Sequence, residues 1–222
     1  NDPSFSIAFM QANDPDGNPD NNLTGMGTLE ADPNAFDAAG RPLTAFASRV
    51  SSSMLVGGPE DILLPIGFLP IELRRGQIRG TTTAAGGELT GLTDGVLCGA
   101  VPASTIAVLP NIIDMFTGSD AEPCDGSTTP TSLADVLIGG TPDGFIFPLR
   151  GSAPDVDLDG DGLERFEVTS TGPRGCQPVV TACIDGDGTR VEGRDCVMDP
   201  DFQDGWSAGF ELTAVRVNLV AP

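Results

Sequence analysis

The densest chemistry in this sequence lies in Asp155-Val-Asp157-Leu-Asp159-Gly160-Asp161-Gly162-Leu163-Glu164-Arg165-Phe166-Glu167, where a carboxylate occupies every second position from 155 to 161. Carboxylates so close repel one another, and a hard divalent cation relieves that repulsion while taking up their oxygens. Calcium accepts about six to eight oxygens at roughly 2.3–2.6 Å, and a glycine at the sixth position of the loop permits the turn that wraps the chain round the ion. Counted from Asp155 that glycine is Gly160; counted from Asp157 it is Gly162. In either register Val156 and Leu158 turn away while the acids converge. Position 12 from Asp155 is Phe166, so the closing carboxylate must come from Glu164, Glu167 or another part of the chain. The competing reading is a solvated acidic turn.

Two other stretches echo the pattern. Asp185-Gly-Asp187-Gly is followed by Asp195, Asp199, Asp201 and Asp204, which could complete the first site, build a second, or serve as ordinary turn residues. Asp14-Pro-Asp16-Gly-Asn18-Pro-Asp20 also alternates side-chain oxygens, but its two prolines favour a plain turn. The candidate ligands are therefore Asp155, Asp157, Asp159, Asp161, Glu164, Glu167, Asp185 and Asp187, with calcium as the implied cofactor.

What is missing narrows the chemistry further. The chain has no His, Lys or Tyr, so Ser-His and Cys-His dyads, Schiff bases and phosphate-binding lysines are excluded. Carboxylates, hydroxyls, thiols, Arg and bound metal remain, and Glu72, Glu88, Glu192 and Glu211 are too scattered to suggest a catalytic pair. Acidic residues number 32 against 11 arginines, a formal charge of -21, which argues against nucleic acid and toward cationic partners. Arg74-Arg75 with Arg79 is the one basic cluster, read as neutralising nearby acids.

Five cysteines at 98, 124, 176, 183 and 196 contain no C-x-x-C pair, which disfavours zinc and favours two disulfides in an oxidising compartment. The expected bonds are Cys98–Cys124 and Cys183–Cys196, leaving Cys176 over, although Cys176 could equally pair with Cys183. No apolar run reaches the roughly 18 residues that span a bilayer. A chain starting Asn1-Asp2-Pro3 reads as processed or truncated, and a lipid anchor upstream is possible.

The elements that must position these groups read as strands. Phe5–Met10, Leu43–Val56, Ile62–Leu73, Gln77–Thr83 and Glu88–Val101 carry apolar patterns punctuated by Gly, Pro and Ser, with Gly86-Gly87 as a hairpin turn. Leu89, Leu92, Val96 and Leu97 are expected to face a core. Two prolines in Ile62–Leu73 suggest an edge strand or a bulge. Short helices are predicted over Pro102–Leu109, Ile112–Phe116 and Leu133–Ile138, the last capped by Ser132. In Ser207–Leu219, Phe210, Leu212, Val215, Val217 and Leu219 mark a long C-terminal strand or a strand with one bulge after Thr213. With 29 Gly and 19 Pro and no internal repeat, the expectation is a single mainly β domain over 1–222, a β-sandwich or jelly roll with short helical insertions.

Asp155–Glu167 resembles the calcium loops of dockerins and thrombospondin type 3 repeats. The longer run through Cys183-Ile-Asp-Gly-Asp-Gly, Cys196 and Phe210-Glu-Leu-Thr-Ala-Val resembles uncharacterised bacterial secreted or surface-lipoprotein ectodomains. That resemblance, over the last third of the chain, implies calcium, export and a surface location. The helix pair of a dockerin and the tandem repetition of thrombospondin type 3 are missing, so cohesin binding and adhesion are not implied. The functional expectation is a non-catalytic extracytoplasmic calcium-binding module in surface or periplasmic assembly, with a protein partner or self-assembly. The alternatives are a carbohydrate-binding module and a carboxylate- or calcium-dependent glycan-active enzyme.

Overall fold

The computed structural model describes residues 2–22, 24–66, 69–111, 122–140, 150–169 and 175–220. Its strands in chain order are β1 (Asp2–Ala8), β2 (Ala12–Asn13), β3 (Thr28–Ala31), β4 (Ala45–Ser51), β5 (Met54–Ile66), β6 (Leu69–Ala85), β7 (Glu88–Pro102), β8 (Arg165–Val168), β9 (Val180–Ile184), β10 (Arg190–Glu192), β11 (Gly205–Val215) and β12 (Asn218–Val220). Helices α1 (Pro19–Asn22), α2 (Ala103–Val108) and α3 (Leu133–Gly139) are short. The architecture is mainly β with three sheets, consistent with the β-sandwich-like domain with helical insertions that the patterning suggests. The predicted helix Ile112–Phe116 lies outside the described residues.

Contacts group the chain into two compact units, residues 1–100 with 208–222, and residues 101–207. In the first, a sheet runs in the order β1-β4-β5-β6-β7-β11. Burial along β4 alternates strictly, with Phe46, Ser48 and Val50 inward, because successive side chains of a strand point to opposite faces. The pairs Val50↔Leu55 and Ile78↔Leu97 carry that apolar face across the sheet. Gly86 and Gly87 join β6 to β7 as expected, and Leu92 and Leu97 are buried, but Leu89 is exposed beside the turn.

The structure corrects three strand readings. Leu43–Val56 is not one strand but divides at Ser52-Ser53, both at positive φ, into β4 and the antiparallel start of β5. Ile62–Leu73 is not one strand at an edge but the closing arms of the β5–β6 hairpin in the middle of the sheet, with Ile62 opposite Leu73. Pro65 faces Pro70, which places both missing amide donors on one rung near the tip, while the irregularities of β5 fall earlier, between Gly57 and Ile62. The C-terminal alternation covers two strands: β11 ends at Val215, and β12 pairs in parallel with β3 in a separate three-stranded sheet, β12-β3-β2. Arg216 N donates to Thr90 O and Asn218 N to Gly27 O, so the backbone changes partner within three residues.

The second unit holds the sheet β10-β9-β8. Its apolar centre is Val180, Cys183, Cys196, Val197 and Phe202, with Phe166, Val168, Val191, Ala107 and Ile138 packed against it. Helix α3 starts at the predicted cap: Ser132 Oγ accepts from Asp135 N, and the Asp135 carboxylate accepts from Ser132 N. Asp135 is buried and also receives Val180 N and Arg194 Nη2, which ties α3 to β9.

The disulfides are Cys124–Cys176 and Cys183–Cys196, with Cα separations of 5.0 and 5.7 Å. The second is the expected bond. The first replaces Cys98–Cys124, because Cys124 N donates to Gln177 O and so lies beside Cys176. Cys98 is the exposed free thiol, in mid-strand on β7 opposite Gln77.

Candidate metal centre

The site forms where the 157–164 loop meets the end of the 199–204 segment within the second unit. Asp157 Oδ1 accepts from Gly160 N at 2.6 Å and its Oδ2 from Gly162 N at 3.3 Å, so the loop closes back on its first acid. Gly162 has φ +112°, a conformation that side chains disfavour, and the closure matches the register that begins at Asp157. Asp159 Oδ1 accepts from Asp161 N at 3.3 Å, keeping the third carboxylate on the same side.

Asp204 completes the arrangement from a distant part of the chain. Its Oδ1 accepts from Leu158 N at 3.1 Å and its Oδ2 from Glu164 N at 2.8 Å, while Asp204 N donates to Glu164 Oε2 at 2.9 Å. Among the described residues, carboxylate oxygens of Asp157, Asp159 and Asp204 lie within 4.8 Å of one another, as do those of Asp159, Asp161 and Glu164. Oxygens sharing an ion at about 2.4 Å are separated by no more than twice that distance, so either group could hold a metal ion.

Burial makes this arrangement costly when no cation is bound. Glu164 is 1% exposed and Asp204 0%, and Glu164 Oε1 has no hydrogen-bond partner among the described residues. Burial pushes the Glu164 carboxyl up to about 8, the neighbouring Asp204 and Asp159 charges adding to the shift. Asp204 is raised by the same desolvation, with Asp157 and Asp159 nearby, and Asp161 is raised by desolvation together with Asp159, Asp185 and Asp157. A buried carboxylate oxygen among other carboxylates is satisfied by a proton or by a cation, and this group could hold a metal ion.

The other candidates take different positions. Both oxygens of Asp155 accept from Ser207, Oδ1 from its amide and Oδ2 from its hydroxyl, each at 2.6 Å, and these bonds hold the carboxyl below its usual range. Glu167 lies on β8 and pairs with Arg190 at 2.7 Å, which lowers its carboxyl; Arg190 also reaches Glu192. Asp185 Oδ1 accepts from Thr189 N in the β9–β10 turn, and Asp187 is exposed on that turn. That turn nonetheless touches the centre: a Cβ on Gly186 would stand 2.2 Å from the Asp161 carbonyl oxygen, so only glycine admits the approach. Of Asp195, Asp199, Asp201 and Asp204, Asp204 alone joins the carboxylate groups. Asp14, Asp16 and Asn18 each accept a backbone amide two residues on, which is turn chemistry.

Compared with known protein families, with curated proteins and with solved structures, the chain matches none.

Proposed function

We propose that this protein is a non-catalytic, extracytoplasmic calcium-binding module that serves in surface or periplasmic protein assembly, with a protein partner or further copies of itself. The observation that carries the cation is Glu164: a buried carboxylate whose Oε1 has no donor among the described residues and which shares its surroundings with Asp159 and Asp161. Calcium is preferred among divalent ions because the donors are several hard oxygens and its coordination geometry is permissive; magnesium demands stricter geometry and retains water. Asp157, Asp159, Asp161, Glu164 and Asp204 would hold it. The two disulfides support an oxidising location. No described helix is long and apolar enough to cross a membrane.

A catalytic use of the raised Glu164 carboxyl is disfavoured by its burial, since a general acid must reach the proton's destination. A glycan platform at Trp206 is disfavoured too: the ring is half-buried and its Nε1 donates to Ser152 O at 3.1 Å.

Calorimetric titration of the oxidised protein with calcium, against a magnesium control, tests the reading. Micromolar or tighter calcium binding that Asp159→Asn abolishes supports it. No heat of binding, and identical melting with calcium and with chelator, would overturn it. Isolation from the native source with and without chelator then tests assembly; a lone monomer in calcium would refute that part.

A further inference from the structure

We infer that the calcium site and the Cys183–Cys196 disulfide are thermodynamically coupled, so that calcium shields this bond from reduction and reduction weakens calcium binding. The inference rests on the calcium reading above and concerns its regulation.

Three structural links join the two features, all within the second unit. Cys183 is the cross-strand partner of Phe166, two residues beyond Glu164, so the metal loop runs directly into the strand that pairs with the disulfide. The loop that the disulfide closes contains the 185–188 turn, whose Gly186 lies so near the Asp161 carbonyl that no Cβ fits between them. From Cys196 the chain passes through buried Val197 and Phe202, which pack with both cysteines, to Asp204. The bond therefore fixes, on one side, the strand against which Glu164 is set and, on the other, the segment that delivers Asp204.

The Glu164–Asp204 contact is reciprocal through backbone amides and holds only if both segments keep their positions. With the bond open, the 196–204 segment gains conformational freedom, and calcium must order it on binding, which lowers affinity. Linkage requires the converse in equal measure: whatever factor oxidation adds to calcium affinity, calcium adds to the stability of the disulfide. The buried sulfurs make exchange depend on local opening, which a bound ion opposes.

Reduction by a dithiol proceeds in two exchanges. A reagent thiolate attacks one sulfur, forming a mixed disulfide and releasing one protein thiolate; the reagent's second thiol then closes its own disulfide and releases the other. Two electrons and two protons pass from dithiol to protein.

The Cys124–Cys176 bond in the same unit serves as an internal control. Oxidised wild-type protein is pulsed with dithiothreitol in calcium or in chelator, quenched by alkylation, and both bonds are followed by peptide mass spectrometry. Because exchange at the buried sulfurs requires local opening that a bound ion opposes, calcium should slow reduction of Cys183–Cys196 about tenfold more than that of Cys124–Cys176. Equal slowing of both bonds, or of neither, would overturn the inference. Calorimetry of the Cys183→Ser/Cys196→Ser variant should show weaker calcium binding than the oxidised wild type; unchanged affinity would also overturn it. If that variant does not fold, the protection ratio in the wild type still decides. Absence of calcium binding by the oxidised wild type would refute the calcium reading, whereas binding without selective protection would refute the coupling alone.

Discussion

Glu164 and Asp204 stand 40 residues apart in sequence, yet the carboxylate of each accepts the backbone amide of the other. The pair fixes two chain segments and at the same time confines two negative charges in the interior. Such charges are tolerated when a cation or a proton offsets them.

Glu164→Gln separates those two roles. The amide keeps the shape and an oxygen able to accept Asp204 N but removes the charge. Without calcium near neutral pH the variant should melt close to the wild type, because a carboxyl pushed up to about 8 is already largely protonated there. With calcium, the stabilisation should fall by at least about 1.4 kcal/mol, matching a tenfold loss of affinity. Thermal melts in calcium and in chelator measure both effects; an undiminished calcium shift would count against Glu164 as a ligand.

Asp204→Ala and Asp159→Ala should differ in kind. Loss of the Asp204 carboxylate strands the amides of Leu158 and Glu164, so destabilisation of roughly 2–4 kcal/mol is expected even in chelator. Asp159 is exposed and holds one amide, so its removal should matter mainly in calcium. Urea unfolding with and without chelator distinguishes them. Equal losses in both conditions for both variants would contradict the assignment.

The loop itself was readable because its signal is local: acids at alternate positions with glycine at the turn. Asp204 was harder to single out, since Asp199-Pro-Asp-Phe-Gln-Asp204 reads as a turn and only the buried Phe202 sets its end apart. Asp155 illustrates the opposite case, an acid on the right spacing whose oxygens are taken by Ser207, more than fifty residues later in the chain. The Cys124–Cys176 pairing depends on the 123–124 and 177 backbone segments meeting, a long-range contact with no local pattern. The β11–β12 break was masked because alternation continues across it while the backbone partners change. Helix α3 was legible for the same reason as the loop, its capping box being written in four consecutive residues.

Asp135→Ala should be among the most damaging substitutions in the second unit. It removes the acceptor for Ser132 N, Ser132 Oγ, Val180 N and Arg194 Nη2 at a site that is 3% exposed. Breaking such a buried network costs about 3–5 kcal/mol, against about 1 kcal/mol for Ser132→Ala, which loses only the cap. Denaturant midpoints of the two variants test the ranking; similar losses would mean that the ties to β9 and Arg194 contribute little.

Asp61 contributes to the pH dependence of the first unit. Its Oδ1 accepts from Arg75 N at 2.9 Å and its Oδ2 from Arg74 at 2.8 Å, and these hold its carboxyl below the usual aspartate range. A carboxyl lowered by folding stabilises the protein above its unfolded pKa, and that contribution disappears as pH falls through the folded value. The side chain is about half exposed, so solvent screening keeps the effect small, on the order of 1 kcal/mol or less. Arg75 has φ +52°, and the Asp61 acceptor offsets part of the strain of that left-handed residue. Asp61→Asn should therefore lower stability near neutral pH and converge on the wild type below about pH 3. Urea midpoints from pH 2 to 7 make the comparison, and a constant gap across that range would show that the carboxylate charge plays no part.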